Sequence, residues 1–215
     1  MKEQWLKSFN LRPRINFGVV MLSIVLGASL TAQAQQPAAS LPADAAAQVS
    51  AAQKYFTDVQ LVNQNGEKMR FYNDLLRNKV VIINSFFATC TGSCLPLNRN
   101  LEKVQEALGD RMGKDVHIIS ISVDPAVDTP ANLKEYAKKL HARPGWFFLT
   151  GTKQDVDFAL KKIGHFVDQK ESHLNVFIIG NERTGLWKKA FGLAASDNLM
   201  KVVESVINDV PAAAQ

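Results

Sequence analysis

The chain has 215 residues, of which 47% are hydrophobic, 21% charged and 8% aromatic, with two cysteines and a formal net charge of +5. Those figures exclude a disordered chain, a disulfide-dense miniprotein and a multi-span membrane protein. The length fits one folded domain once the N-terminal segment is set aside.

Residues 1–16 carry Lys2, Lys7, Arg12 and Arg14 against the single acid Glu3, and Phe17 to Leu30 follow without a charge. A basic start followed by an apolar run is the pattern of an export signal. The run is 14 residues long, whereas a membrane-spanning helix takes about 20, and Ala32-Gln33-Ala34 supplies a small-residue cleavage site. Residues 1–34 are therefore read as a signal peptide, with an uncleaved anchor as the alternative. Both readings place the folded part in the periplasm or at the outer face of the inner membrane. Loss of residues 1–34 removes four basic residues and one acid, leaving 21 against 19. With no Lys/Arg cluster interleaved with aromatics, there is no electrostatic case for nucleic acid. Residues 35–53, rich in Ala, Gln, Pro and Ser, read as a flexible tether. The folded domain is assigned to 54–210, and 211–215 form a tail.

Within the domain, Val59 to Asn63 and Lys68 to Phe71 flank Asn65-Gly66, the signature of a hairpin whose tight turn takes positive φ angles. Val80 to Phe87 is nearly all β-branched or aromatic, as in a strand covered on both faces of a parallel sheet. Leu97, Leu101, Val104 and Leu108 mark one face of a helix. Val116 to Val123 is the next strand. Thr129-Pro130 caps and starts a helix to about His141, and Trp146 to Leu149 returns to the sheet. Thr152 with Asp155 resembles a capping box for a helix reaching Ile163, with Gly164 at its end. Leu174 to Ile179 and Lys188 to Phe191 are strands, and Ser196 to Asp209 is the closing helix. The order β-β-β-α-β-α-β-α-β-β-α predicts an α/β fold, a central, mostly parallel sheet flanked by helices with an N-terminal β-hairpin.

Cys90 and Cys94 stand just past the central strand, at the mouth of the following helix. Ligands and chemistry collect at the carboxyl ends of strands in such sheets, and a helix N-terminus lowers a thiol pKa. Two cysteines in an oxidising compartment are commonly a structural disulfide. This one closes a five-residue loop, for which chain entropy gives only about 2 kcal/mol. Helical i, i+4 spacing brings such a pair within reach of one disulfide or one ion, so a redox or metal role is favoured. The third group decides between them. His173, in a polar loop before a strand, is the candidate, and two thiolates with an imidazole suit Cu(I) or Cu(II). His117 and His141 occupy ordinary structural positions, and His165 is a weaker candidate. A closed structural zinc site lacks its ligands.

The chain resembles the SCO1/SenC family, through Cys90-Thr91-Gly92-Ser93-Cys94 with Pro96, Ser122-Val123-Asp124-Pro125 with Asp128-Thr129-Pro130, Leu149-Thr150-Gly151-Thr152, and His173 before a strand. The similarity covers about residues 56–210. It implies a thioredoxin-like fold and a copper-binding assembly factor for the binuclear copper centre of cytochrome c oxidase, with Cys90, Cys94 and His173 holding the metal. The implied partners are a copper-accepting respiratory enzyme subunit and a periplasmic copper donor or thiol reductant. The implied protein is a metallochaperone rather than an enzyme. Thr91 and Leu95 stand where the family usually has proline, and Ser172 where it commonly has aspartate. The last change removes an acceptor that would orient the imidazole. The alternative function is a thiol:disulfide oxidoreductase in which Cys90 and Cys94 are the catalytic redox pair, keeping the partner's cysteines reduced. A peroxidase and a binding module with a structural disulfide are further alternatives.

Overall fold

The structure, a computed structural model, describes residues 50–210, so the expected signal, the tether up to residue 49 and the tail lie outside the described residues. The chain enters through α1 (Ala51–Phe56). Three residues assigned by composition to the tether are therefore helical, because Ser50 accepts a hydrogen bond from the Gln53 N–H and Phe56 is buried at the other end.

The hairpin is formed by β1 (Gln60–Asn63) and β2 (Lys68–Arg70). Its loop is longer than a two-residue turn. Asn63 Oδ1 accepts from the N–H groups of Asn65 and Glu67, and Gly66 at φ +82° is its only positive-φ residue. Phe71, expected to end the strand, opens a buried π-helical turn over Phe71–Leu76.

The alternating core is β3 (Val80–Phe86), α2 (Cys94–Leu108), β4 (Val116–Ser122), α3 (Pro130–Lys139), β5 (Trp146–Thr150), α4 (Lys153–Ile163), β6 (Val176–Asn181), β7 (Leu186–Phe191) and α5 (Ser196–Ile207). All seven residues of β3 and all seven of β4 are buried. Successive side chains of β3 enter opposite cores. Val80, Ile82 and Phe86 pack with α2, α3 and α5, whereas Val81 and Ile83 pack with Phe56 of α1 and Val156, Leu160 and Ile163 of α4. The stripe Leu97, Leu101, Val104 and Leu108 is buried in the first core. The caps at Thr129 and Thr152 accept the N–H groups of Asn132 and Asp155 as their sequences indicate, and Gly164 closes α4 at φ +71°.

The strand order is β2-β1-β5-β4-β3-β6-β7. The α/β class, the flanking helices and the hairpin match expectation, but the sheet is mixed rather than mostly parallel. Only β3–β4 and β4–β5 run parallel, while β1–β2, β1–β5, β3–β6 and β6–β7 are antiparallel. An unbroken apolar run reports burial on both faces and carries no strand direction. The segment between α4 and β6 returns the chain to the end of β3, so β6 starts where β3 finishes. Among the described residues no helix is long and apolar enough to cross a membrane.

Candidate metal centre

The antiparallel pairing of β3 with β6 places the residues that follow β3 beside those that precede β6. Cys90 lies in the loop after β3, its N–H donating to the Phe87 carbonyl at 3.2 Å, and Cys94 is the first residue of α2. The two are not both on a helix, contrary to the spacing argument, and the loop's own fold brings their sulfurs together. Cys90 is half-buried, Cys94 is fully buried, and both are free thiols. His173 ends a short 3-10 turn over Lys170–Ser172, just before β6.

The Sγ atoms of Cys90 and Cys94 and a ring nitrogen of His173 all lie within 4.8 Å of one another, the one such group of possible ligands found among the described residues. Cys94 Sγ is 3.0 Å from His173 Nε2. On the far side of the ring, Nδ1 is 3.1 Å from the Lys170 carbonyl. A carbonyl only accepts, so the proton of the neutral ring sits on Nδ1 and the Nε2 lone pair faces the sulfurs. The acceptor that Ser172 does not provide is thus supplied by backbone two residues earlier.

Burial lowers the His173 pKa against a smaller upward pull from the Lys170 carbonyl, which keeps the ring neutral at neutral pH. Burial also pushes the Cys94 thiol up, and the neighbouring Cys90 adds to the rise. This opposes the lowering expected from the helix N-terminus, because desolvation of a buried thiolate outweighs the dipole. The metal-free pair is therefore a Cys94 thiol donating to His173 Nε2.

Phe87 stands edge-on to the imidazole, with ring centroids 5.5 Å apart and planes at 86°. An open cleft of about 400 Å³, lined by Phe87, Thr89 to Ser93, Lys170, Glu171 and His173, leads to the Cys90 side of the group. Leu95, beside Cys94, is exposed.

The Ser122-Val123-Asp124-Pro125 motif, distant in sequence, ties the cysteine loop to the histidine turn. Asp128 Oδ2 accepts from the Ala88 N–H at 3.0 Å and from the Ser122 hydroxyl at 2.6 Å, which fixes the start of the cysteine loop. Asp124 pairs with Lys170 Nζ at 2.6 Å, which fixes the histidine turn. These roles escaped sequence reading, which named the motif but had no view of what its carboxylates touch.

None of the other three histidines belongs to the group. His165 is buried with Nδ1 3.1 Å from Ser85 Oγ, His117 stacks on Phe147, and His141 is exposed beside Glu102.

A family model described as SCO1/SenC matches residues 47–184. The SCO1 protein homolog of Bacillus subtilis (strain 168) is 33% identical over 112 residues, covering 51% of this chain and 56% of that protein. The chain spans about half the length of the curated relatives it matches. Among solved structures, yeast Sco1 with copper bound is 27% identical with a TM-score of 0.60, covering 73% of this chain and 95% of that one. BsSco, described as a member of the Sco family of cytochrome c oxidase assembly proteins in which a disulfide switch was identified, is 28% identical with a TM-score of 0.57 over 69% of this chain and 90% of that one.

Proposed function

The chain belongs to the SCO1/SenC family, and on that premise we propose that it is a copper carrier: it holds one copper ion through Cys90, Cys94 and His173 and hands it to a respiratory copper enzyme. The observation that carries this reading is the three-donor group itself, two sulfurs and a neutral imidazole nitrogen within 4.8 Å. Soft thiolates with one imidazole match Cu(I), and a sulfur and nitrogen set also accepts Cu(II). Both thiols must lose their protons on binding, so loading releases acid and is favoured by base.

Delivery is ligand exchange. Cys94 is enclosed, whereas Cys90 borders the open cleft, so an incoming thiolate reaches the metal from the Cys90 side and replaces that bond first. The recipient is read as the binuclear copper centre of cytochrome c oxidase, in line with the description of BsSco as an oxidase assembly protein. The export pattern of residues 1–34 supports a periplasmic or membrane-tethered place of action.

In cells whose copy of this protein has been deleted, the wild-type chain restores oxidase copper content and activity, and Cys90→Ser or His173→Ala does not. Full restoration by His173→Ala would end the three-ligand reading.

A second role is favoured by one observation: Cys90 and Cys94 are free thiols with sulfurs within 4.8 Å of each other, a separation that a shift of the Cys90 loop closes to a disulfide. The pair then acts as a thiol:disulfide oxidoreductase toward the recipient's cysteines, with half-buried Cys90 as the attacking sulfur. The test is whether the reduced protein reduces a recipient disulfide faster than a free dithiol does.

A further inference from the structure

Lys170 meets His173 in two ways. Its carbonyl accepts the His173 Nδ1 proton at 3.1 Å, and its ammonium pairs with Asp124 at 2.6 Å while lying 5.2 Å from the centre of the Phe87 ring. Phe87 is in turn the ring that stands edge-on to the imidazole. The side chain of one residue thus fixes the turn whose carbonyl sets the tautomer, and it sits over the aromatic wall that sets the ring plane.

Asp124 is a firm anchor for that side chain. Its N–H donates to Ser122 Oγ at 3.0 Å, and its carbonyl accepts from the N–H groups of Val127 and Asp128. Ser122 also donates to Asp128, which holds Ala88 at the start of the cysteine loop. The chain of contacts from the cysteine loop to the histidine turn therefore runs Ala88, Asp128, Ser122, Asp124, Lys170, His173.

We propose that Lys170, held by Asp124, is a positioning residue that presents His173 Nε2 to the two sulfurs, and that the Ser122 to Asp128 turn sets the distance between the two halves of the ligand set. The proposal rests on the reading of Cys90, Cys94 and His173 as the ligands. The imidazole sits on a short turn with few backbone hydrogen bonds of its own. Without the ion pair, the turn loses its connection to β4, and the ring loses both its fixed tautomer and its fixed plane. Partners that orient a ligand in this way typically contribute about 10- to 100-fold to metal affinity.

The test reads the ring first and the metal second. In reduced, metal-free protein labelled with nitrogen-15 at histidine, His173 shows the shifts of a neutral ring protonated at Nδ1. Lys170→Met and Asp124→Asn mix the two tautomers and weaken Cu(I) binding about 10- to 100-fold against a competing chelator. Lys170→Arg, which keeps the charge, restores both readings. Lys153→Met breaks an ion pair of the same length with Asp157 on the surface of α4 and changes neither. Unchanged ring shifts and unchanged affinity in Lys170→Met, with its thermal transition intact, would overturn the proposal. Asp124→Asn, nearly the same size as the original, gives an independent reading should Lys170→Met fold poorly. If the parent binds no copper, the copper reading fails, and the ring shifts still decide whether Lys170 positions His173.

Discussion

Cys94 Sγ and His173 Nε2 lie 3.0 Å apart although 79 positions separate them in the chain. The contact exists because β6 runs antiparallel to β3 and begins where β3 ends, with Ile83 opposite Ile178. Had the sheet continued parallel, the segment before β6 would lie at the far end of β3 and the cysteines would have no imidazole partner. The departure from a mostly parallel sheet is thus what assembles the site.

The first prediction concerns the buried polar chain beneath the site. Asn84 donates to Asn98 at 2.9 Å and accepts from Ser120 at 2.7 Å, while Asn98 donates to Tyr136 and Trp146 donates to Ser120. Asn84→Ala leaves two buried partners unsatisfied and costs about 3 kcal/mol. Urea unfolding measures this as a lowered midpoint at unchanged slope. A loss below about 0.5 kcal/mol would show that water replaces the amide.

A second prediction compares two glycines. Gly164 has a left-handed φ of +71° with open space where a Cβ would stand, so Gly164→Ala costs about 1 kcal/mol in backbone strain alone. At Gly180 a Cβ would come within 2.1 Å of the Trp187 indole. Gly180→Ala therefore costs more, about 2 kcal/mol, by forcing the indole out of place. The cost shrinks in a Trp187→Ala background, a coupling that a double-mutant cycle measures, whereas additive costs would place the strain elsewhere.

Much of this framework is legible in the sequence. The stripe from Leu97 to Leu108, the threonine caps and the buried run of β3 follow from periodicity and local chemistry, which act within a few residues. Strand direction is not local. Neither is the fold of the loop that brings Cys90 to Cys94, nor the choice of the Lys170 carbonyl as acceptor for His173. Those depend on which segments the sheet order brings together. The short α1 was hidden in a tether composition because its stability comes from burying Phe56 rather than from its own propensity.

A third prediction is a pH dependence of stability. Burial of His165, with smaller contributions from Lys189 and His173, lowers its pKa from 6.5 to about 4. Between those values the unfolded chain binds a proton that the native state refuses, so stability rises with pH there. The contribution is fully present above about pH 6.5 and is lost as pH falls through 4, on the order of 3 kcal/mol in all. The lowered values of His117 and His173 act in the same direction. Unfolding free energies measured from pH 7 to 4 fall with acid, and His165→Asn flattens the slope. An equal slope in the variant would contradict the assignment.

A fourth prediction concerns the aromatic wall. Phe87→Leu removes the edge-on contact with His173 while keeping an apolar filler. It lowers stability by about 1 kcal/mol, and it changes the spectrum of the copper-loaded protein by letting the imidazole turn. An unchanged spectrum would show that the Lys170 carbonyl alone orients the ring.

The most direct test of copper binding by three ligands is an anaerobic Cu(I) titration of the reduced protein against a competing chelator, with Cys90→Ser, Cys94→Ser and His173→Ala in parallel. The predicted result is one equivalent bound tightly by the parent and more weakly by each of the three variants. Failure of the parent to compete with the chelator, with both thiols shown to be free, would contradict the account.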